Sequence, residues 1–329
     1  MRYDDSLSSG GRWVSVLFFW LTLCLSTLGF LVESQWVALV CWVFIVPLFF
    51  GTHEALHGSL LPEKGFFARG RRTHNMILLW LGYSLQGMNF LLLKPAHLHH
   101  HAYGRYAEGY APDVFPGPVR LRDRVLYYVT LLGLPAVLWQ IAGLLCVVIP
   151  LRRIPILVDH RWFKKFRWWQ YLLTQVGPVA FFGLMISIAG PCRVLLYEAV
   201  FVLIWGLLQN AAHYGIKGYD AASDRVCAYS YYLGPVGRLF TFGATAHLAH
   251  HVDMSLPGIC LHTLAVETEI EKKIGVKIRK KFGAGSFFGD IFRQLKGPVT
   301  LEDLITDWCE CAPPESNSGR TFGYRRGRE

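Results

Sequence analysis

Residues 97 to 104 read HLHHHAYG, in which His97, His100 and His101 form the pattern H-x-x-H-H. Positions i, i+3 and i+4 lie on one face of an α-helix, so these three imidazoles project from the chain together. Imidazole is a good ligand for iron, zinc, copper and nickel. The stretch therefore predicts a helix that carries part of a metal site, and the fold must bring the remaining ligands to it.

Two further histidine clusters occur in the chain. The pattern H-x-x-H-H returns as HLAHH, with His247, His250 and His251, and a shorter cluster, HEALH, supplies His53 and His57. With 13 histidines in 329 residues, a fixed three-histidine pattern should arise by chance in roughly 0.02 of such chains. Packing eight imidazoles together without partners would be costly. We therefore interpret the clusters as one metal site, rather than as core histidines satisfied by hydrogen bonds.

The composition is that of an integral membrane protein. The chain is 53% hydrophobic and 17% charged, and its mean hydropathy is +0.31, which is too apolar for an ordinary soluble domain. The formal net charge is +10, and the Lys and Arg residues lie in loops between apolar runs, beside Trp and Phe. This arrangement indicates a membrane-water interface rather than nucleic-acid binding. The eight cysteines form no C-x-x-C pair, so we find no zinc-finger or iron-sulfur signature.

Four apolar runs are long enough to cross a membrane. Residues 13–32 and 36–52 are separated by only a few residues and predict a first hairpin. Residues 170–189 and 194–211 predict a second hairpin around Gly190 and Pro191. An even number of crossings places all histidine clusters on one side of the membrane.

Two more apolar runs must not cross if the clusters are to meet. A crossing at 76–93 would put the first and second clusters on opposite faces, so we expect this run to lie in the interface or to re-enter. The run 125–149 precedes a basic and aromatic segment that the positive-inside rule places in the cytoplasm. It is therefore expected to lie along or dip into the membrane, with a break at Gly133 and Pro135. Hydropathy alone equally allows an ordinary span there.

The predicted fold is an all-α integral membrane protein. It has four transmembrane helices in two hairpins plus interfacial helices, one of them within 229–246, with the His-rich metal site and both termini on the cytoplasmic side. Residues 1–265 would form the membrane domain, and 266–329 a charged cytoplasmic tail. The first part of this tail is expected to be a surface helix and its C-terminal end to be disordered.

With His213 from QNAAHYG, the clusters offer nine nitrogen donors, enough for four or five ligands to each of two transition metals. A His-only site at a membrane face favours iron, because attack by O₂ on an unreactive C–H bond needs a redox metal, which zinc is not.

These motifs closely resemble the three histidine boxes, and the additional histidine, of the membrane fatty acid desaturase-like superfamily. The superfamily includes acyl desaturases, lipid and alkane hydroxylases and carotenoid ketolases, and the resemblance covers about residues 36–265. It also implies four membrane spans and a non-haem diiron centre. The ligands implied are His53, His57, His97, His100, His101, His213, His247, His250 and His251.

Four other residues are possible neighbours of the ligands. Glu54 either orients an imidazole or is a solvated carboxylate at a helix end. His99 is offset by two positions from His97 and points either to the surroundings of the metal or to solvent. Asp113 resembles an acidic element that follows the second box in bacterial relatives, and Asn210 either holds a metal-bound water or caps a helix.

The resemblance implies activation of O₂, as co-substrate, at two ferrous ions and hydrogen abstraction from a buried hydrocarbon. No catalytic residue beyond the metal ligands is predicted. The sequence has no haem-attachment, iron-sulfur or dinucleotide-binding motif, so a ferredoxin, rubredoxin or cytochrome must supply electrons. The basic cytoplasmic surface would dock either such a donor or anionic lipid.

The leading hypothesis is a desaturase acting on a fatty-acyl or lipid substrate, and the alternative is a hydroxylase or ketolase of a lipid, hydrocarbon or carotenoid. A transporter or metal-binding membrane protein would also hold intramembrane histidines, but across the bilayer rather than at one face. A zinc hydrolase is disfavoured because nine histidines stand without a carboxylate ligand among them.

Overall fold

The computed structural model describes residues 5–61, 70–103, 114–115, 118–149, 167–212, 214, 229–247, 250 and 280–300. Most of them are helical. The helices are α1 (Asp5–Leu31), α2 (Gln35–Trp42), α3 (Ile45–His57), α4 (Arg71–Leu85), α5 (Phe90–Tyr103), α6 (Leu121–Leu131), α7 (Leu134–Val148), α8 (Trp168–Ala189), α9 (Pro191–Ala211), α10 (Gly234–Phe240) and α11 (Ala284–Arg293). The short strands are β1 (Val114–Phe115), β2 (Ser230–Tyr232), β3 (Lys280–Phe282) and β4 (Val299–Thr300).

Four segments of this described part are long and apolar enough to cross a membrane, as the sequence predicts. They are Trp13–Leu31, Gln35–His57, Trp168–Ala189 and Pro191–Gln209. Many of their large apolar side chains, such as Leu17, Val40 and Leu195, are exposed on the outer surface of the fold, where lipid tails would cover them. The chain is therefore a membrane protein, while the pairing into hairpins across a bilayer and its sidedness stay predictions.

The second span is broken where α2 meets α3. Pro47 lies in the first turn of α3 and has no N–H to donate to the carbonyl of Val43, so the helix cannot run through this point without a lost hydrogen bond. Trp42, at the end of α2, packs fully buried against Phe30 of α1, with ring centroids 5.4 Å apart. This contact joins the first two apolar segments at a point that precedes the histidine-bearing end of α3 in sequence.

Helices α4 and α5 lead away from the end of α3 and then back to it. The Arg71 guanidinium, at the start of α4, donates to the carbonyl of Gly58 at 2.8 Å, directly after α3. The chain reverses at residues 86–89, where Gly87 has φ +67°, and α5 returns His97 to the same end of α3. The run 76–93 is thus divided between two helices that lead away from and back to α3. This is the geometry that re-entry requires, although its depth in the membrane stays a prediction.

The predicted break at Gly133 is confirmed. Gly133 separates α6 from α7 with φ +95°, a backbone conformation that favours glycine, and the two helices are bent by 66°. A Cβ here would lie 2.1 Å from the carbonyl oxygen of Val202 in α9. Close packing on α9 therefore fixes the bend. If the bent pair is one span, the described residues contain five spans rather than four.

Residues 280–300 are packed on the helical body. β3 pairs in parallel with β2, and β4 pairs in parallel with β1. Between them, α11 buries Phe287, Asp290 and Ile291 on one face. The surface helix expected at the start of the 266–329 segment and the disorder expected at its end lie outside the described residues.

Candidate metal centre

The first histidine cluster lies on the last turn of α3. His53 and His57 are four positions apart and share one helix face, as the sequence predicts. Helix α3 ends directly afterwards because Gly58 adopts a left-handed conformation, with φ +73°. The chain turns away at this point, which leaves the face with the two imidazoles open to α5 and to His250.

Four histidines from three separate segments form one group. Single ring nitrogens of His53, His57, His97 and His250 all lie within 4.8 Å of one another. His250 is fully buried, and the other three are partly buried. Two members of the first predicted histidine cluster and one member of each of the others are therefore brought to the same place.

The nitrogen positions suit a cation. The Nε2 atom of His57 is 2.8 Å from Nε2 of His97 and 3.2 Å from Nε2 of His250. One imidazole Nε2 carries either one proton or one lone pair in the ring plane, so His57 cannot satisfy both neighbours with good hydrogen bonds. A metal held at about 2.1 Å from each nitrogen separates neighbouring ligand atoms by about 3.0 to 3.4 Å. The donor set therefore fits a transition-metal ion.

The other predicted ligands and their possible neighbours fall into three groups. The His247 ring lies beside that of His250, with centroids 6.0 Å apart. The backbones of His99, His100 and His101 belong to α5 and that of Asn210 belongs to α9, but their side chains lie outside the described part of the chain. His213, His251 and Asp113 lie wholly outside it.

Glu54 is buried beside the first ligand. Only 2% of it is exposed, and its Oε1 is 3.7 Å from Nδ1 of His53. The Ser59 hydroxyl donates to Oε2 of Glu54 at 2.7 Å and fixes the carboxylate from the turn after α3. Glu54 is thus not the solvated helix-end carboxylate that was one of its two predicted roles. Ser59 was missed by the sequence analysis, because its only signal is a hydroxyl placed just after the glycine that ends α3.

A polar contact between α3 and α4 fixes the rotation of the histidine face. Gln86 donates from Nε2 to Oγ1 of Thr52 at 3.0 Å, and the Thr52 hydroxyl donates to the carbonyl of Leu48. Gly82 lets α4 approach, because a Cβ at this position would lie 2.3 Å from Thr52 Oγ1. Since Thr52 directly precedes His53, this contact sets the direction in which the first imidazole points.

A partly buried lysine lies near the histidine group. Lys94 lies on α5, one turn before His97, and burial, assisted by Arg72, lowers the pKa of Lys94. The fold therefore places a titratable cation one helical turn from a proposed ligand.

The comparisons with known proteins agree with this site. None of the curated proteins searched matches the chain. The family model for fatty acid desaturases matches residues 34–268, which is more than two thirds of the chain and includes every predicted histidine ligand. The chain therefore belongs to the fatty acid desaturase family.

Proposed function

We propose that this protein is a membrane diiron oxidoreductase that uses O₂ and external electrons to desaturate a fatty-acyl or lipid substrate. Family membership supports oxidoreductase chemistry of the desaturase type. The single observation that carries the proposal is the convergence of His53, His57, His97 and His250 from three segments of the chain. A purely structural role does not explain why their ring nitrogens meet.

The two irons would be held by imidazoles alone. The described group supplies four ligands, and we assign the remaining five to His100, His101, His213, His247 and His251. When bound, two iron ions supply the redox chemistry that activates O₂ toward an unreactive C–H bond. The imidazoles set the orientation of the site, with Glu54 and Ser59 fixing the first of them.

The apolar surroundings suit a hydrocarbon substrate. Directly below the histidine face, Gly51 packs against Phe19 and Phe242, and Phe50 and Leu56 are buried in the same core. We propose that the acyl chain of the substrate lies against this apolar core, which excludes bulk water. We also propose that the metal centre and both termini face the cytoplasm, and that a ferredoxin, rubredoxin or cytochrome delivers electrons there.

The test is product analysis on the purified protein in lipid nanodiscs. The protein is supplied with iron, an electron donor and a labelled acyl substrate, and both metal content and products are measured by mass spectrometry. We expect two irons per chain and a product that has lost two hydrogens. A product that has gained one oxygen would instead establish a hydroxylase or ketolase. A protein without iron, or one that takes up no O₂, would contradict the proposed function.

Replacement of Glu54 by Gln tests the role of the buried carboxylate. The change keeps the size of the side chain but removes the charge next to His53, so we expect iron affinity to fall about 10-fold to 100-fold, the range found for groups that orient metal ligands. Iron binding is measured by competition with a chelator. The matched control is Glu33→Gln, a change in the loop between α1 and α2, which should leave affinity unchanged. Equal affinity of the Glu54 variant and the wild type would remove Glu54 from the site.

A further inference from the structure

Residues 280–300, which we name the C-terminal brace, lie beyond the region matched by the family model. The brace contains β3, α11, a 3₁₀ turn (Gln294–Lys296) and β4. Its two strands pair with β2 and β1, neither of which is adjacent to it in sequence. A segment that the sequence predicts to be part of a tail is therefore joined to two distant parts of the chain.

The brace contacts the segment that carries His213. The hydroxyl of Tyr214, the next residue, is buried and donates to the carbonyl of Gly297 at 2.6 Å. On the other side, the backbone N–H of Tyr229 donates to the carbonyl of Ala212 at 2.9 Å. Of the two residues next to His213, Ala212 is thus bonded to Tyr229, directly before β2, and Tyr214 is bonded to the brace.

A second line of contacts runs from the brace to the third histidine cluster. The Tyr231 hydroxyl donates to Oδ2 of Asp290 at 2.6 Å. The N–H of Tyr231 donates to the carbonyl of Thr245, and Ser230 forms a bridge with Ala246. The carbonyl of Ala246 in turn accepts from the N–H of His250. The contacts from the Asp290 carboxylate to the backbone of a proposed ligand therefore run through Tyr231 and Ser230 of β2 and then through Ala246.

Asp290 is held firmly enough to act as an anchor. It is 2% exposed and forms ion pairs with Lys281 and with Arg293. Burial, followed by the hydrogen bond to Asp290, raises the pKa of Tyr231 well above the usual range of a phenol. The hydroxyl therefore keeps its proton and donates at any physiological pH.

A third contact joins the brace to β1, which comes after the second histidine cluster in sequence. β4 pairs with β1 through Val114 and Val299, and Val114 directly follows Asp113. Together, the contacts of the brace reach three separate segments next to predicted ligands or their neighbours.

We infer that the C-terminal brace is a positioning element of the metal centre, in which Asp290 acts through Tyr231 on the third histidine cluster and Gly297 acts through Tyr214 on His213. This inference rests on the proposed function. The physical reason is that hydrogen bonds that hold a ligand-bearing segment in place before the metal binds reduce the conformational freedom that its imidazole loses on binding. Buried hydrogen bonds to the brace restrict these segments before the metal binds.

Two conservative substitutions test the inference. Tyr214→Phe and Tyr231→Phe each remove one buried hydroxyl and leave the aromatic ring in place. The control is Tyr128→Phe, because the Tyr128 hydroxyl also donates to the brace, at the carbonyl of Leu295, but at 3.1 Å and from α6, which carries no predicted ligand. Iron-loaded proteins in nanodiscs are mixed with a chelator, and iron loss is followed by absorbance. Hydrogen exchange of residues 242–250 is measured in parallel.

We expect Tyr214→Phe and Tyr231→Phe to lose iron about tenfold faster than the wild type, within the range for groups that orient ligands. Tyr231→Phe should also increase exchange at residues 242–250, and Tyr128→Phe should match the wild type in both measurements. If an iron-loaded wild type and both test variants lose iron at the same rate, the positioning role is overturned. It is also overturned if all three variants lose iron faster to the same extent, since this would indicate a general loss of stability. A wild type that binds no iron would overturn the proposed function itself.

Discussion

His57→Ala is expected to remove bound iron and to abolish turnover. His57 is the member of the group whose Nε2 lies close to the ring nitrogens of both His97 and His250. Its removal takes away one ligand and also the contact between two segments. Changes to groups that merely orient ligands already cost about 10-fold to 100-fold in metal affinity, so loss of this ligand should cost at least about 100-fold. Iron content after purification and the rate of product formation both measure the effect.

The control for this experiment is His74→Ala. His74 lies near the start of α4 and is not a member of the four-histidine group. The variant should keep the iron content and the turnover of the wild type. If His57→Ala retained iron while His74→Ala lost it, the assignment of the first cluster to the metal centre would be refuted.

Gly133→Ala is expected to destabilise the whole helical body. Its φ of +95° strains any residue with a Cβ, and the added atom would meet the Val202 carbonyl of α9 at 2.1 Å. Backbone strain and overpacking together predict a loss of about 2 to 6 kcal/mol of stability. Thermal unfolding in detergent, followed by size-exclusion chromatography, should show a lower midpoint and a lower yield.

Gly183→Ala is the matched control, because Gly183 lies inside α8 and a Cβ there has no neighbouring atom within 4 Å. Alanine is favoured over glycine in a helix, so this variant should be as stable as the wild type or slightly more stable. A Gly133→Ala protein with the same midpoint as Gly183→Ala would show that α6 and α7 can bend without a glycine.

The spans and the histidine faces were predictable because both depend on short stretches of sequence. An apolar run of about 20 residues predicts a membrane span whatever the remainder of the chain contains. The spacing of His53 and His57 likewise reports a shared face wherever a helix forms. The break at Gly133 was also predictable, since a glycine with a proline two positions later interrupts a helix locally.

The contacts that complete the site were not predictable because they join residues far apart in sequence. Tyr231 meets Asp290 and Tyr214 meets Gly297 across 59 and 83 positions, and no periodicity reports such pairs. Composition also obscured the brace. A charged segment after the last histidine cluster resembles a solvated tail, while the structure buries Phe287 and Ile291 of that segment against the body. The structure describes only residues 280–300 of the 266–329 segment, so its assignment to one tail stays a prediction.

The turn between α4 and α5 has a consequence for the order in which the protein is assembled. The carbonyl of Leu85 accepts from the Tyr197 hydroxyl, and Asn89 donates to the carbonyl of Tyr171. Both partners are synthesised more than 80 residues later. Unsatisfied backbone groups are costly in a hydrocarbon environment. The turn is thus expected to settle into place only after α8 and α9 have left the ribosome, so the second cluster meets the first late in biogenesis and a protein truncated before α8 should be degraded.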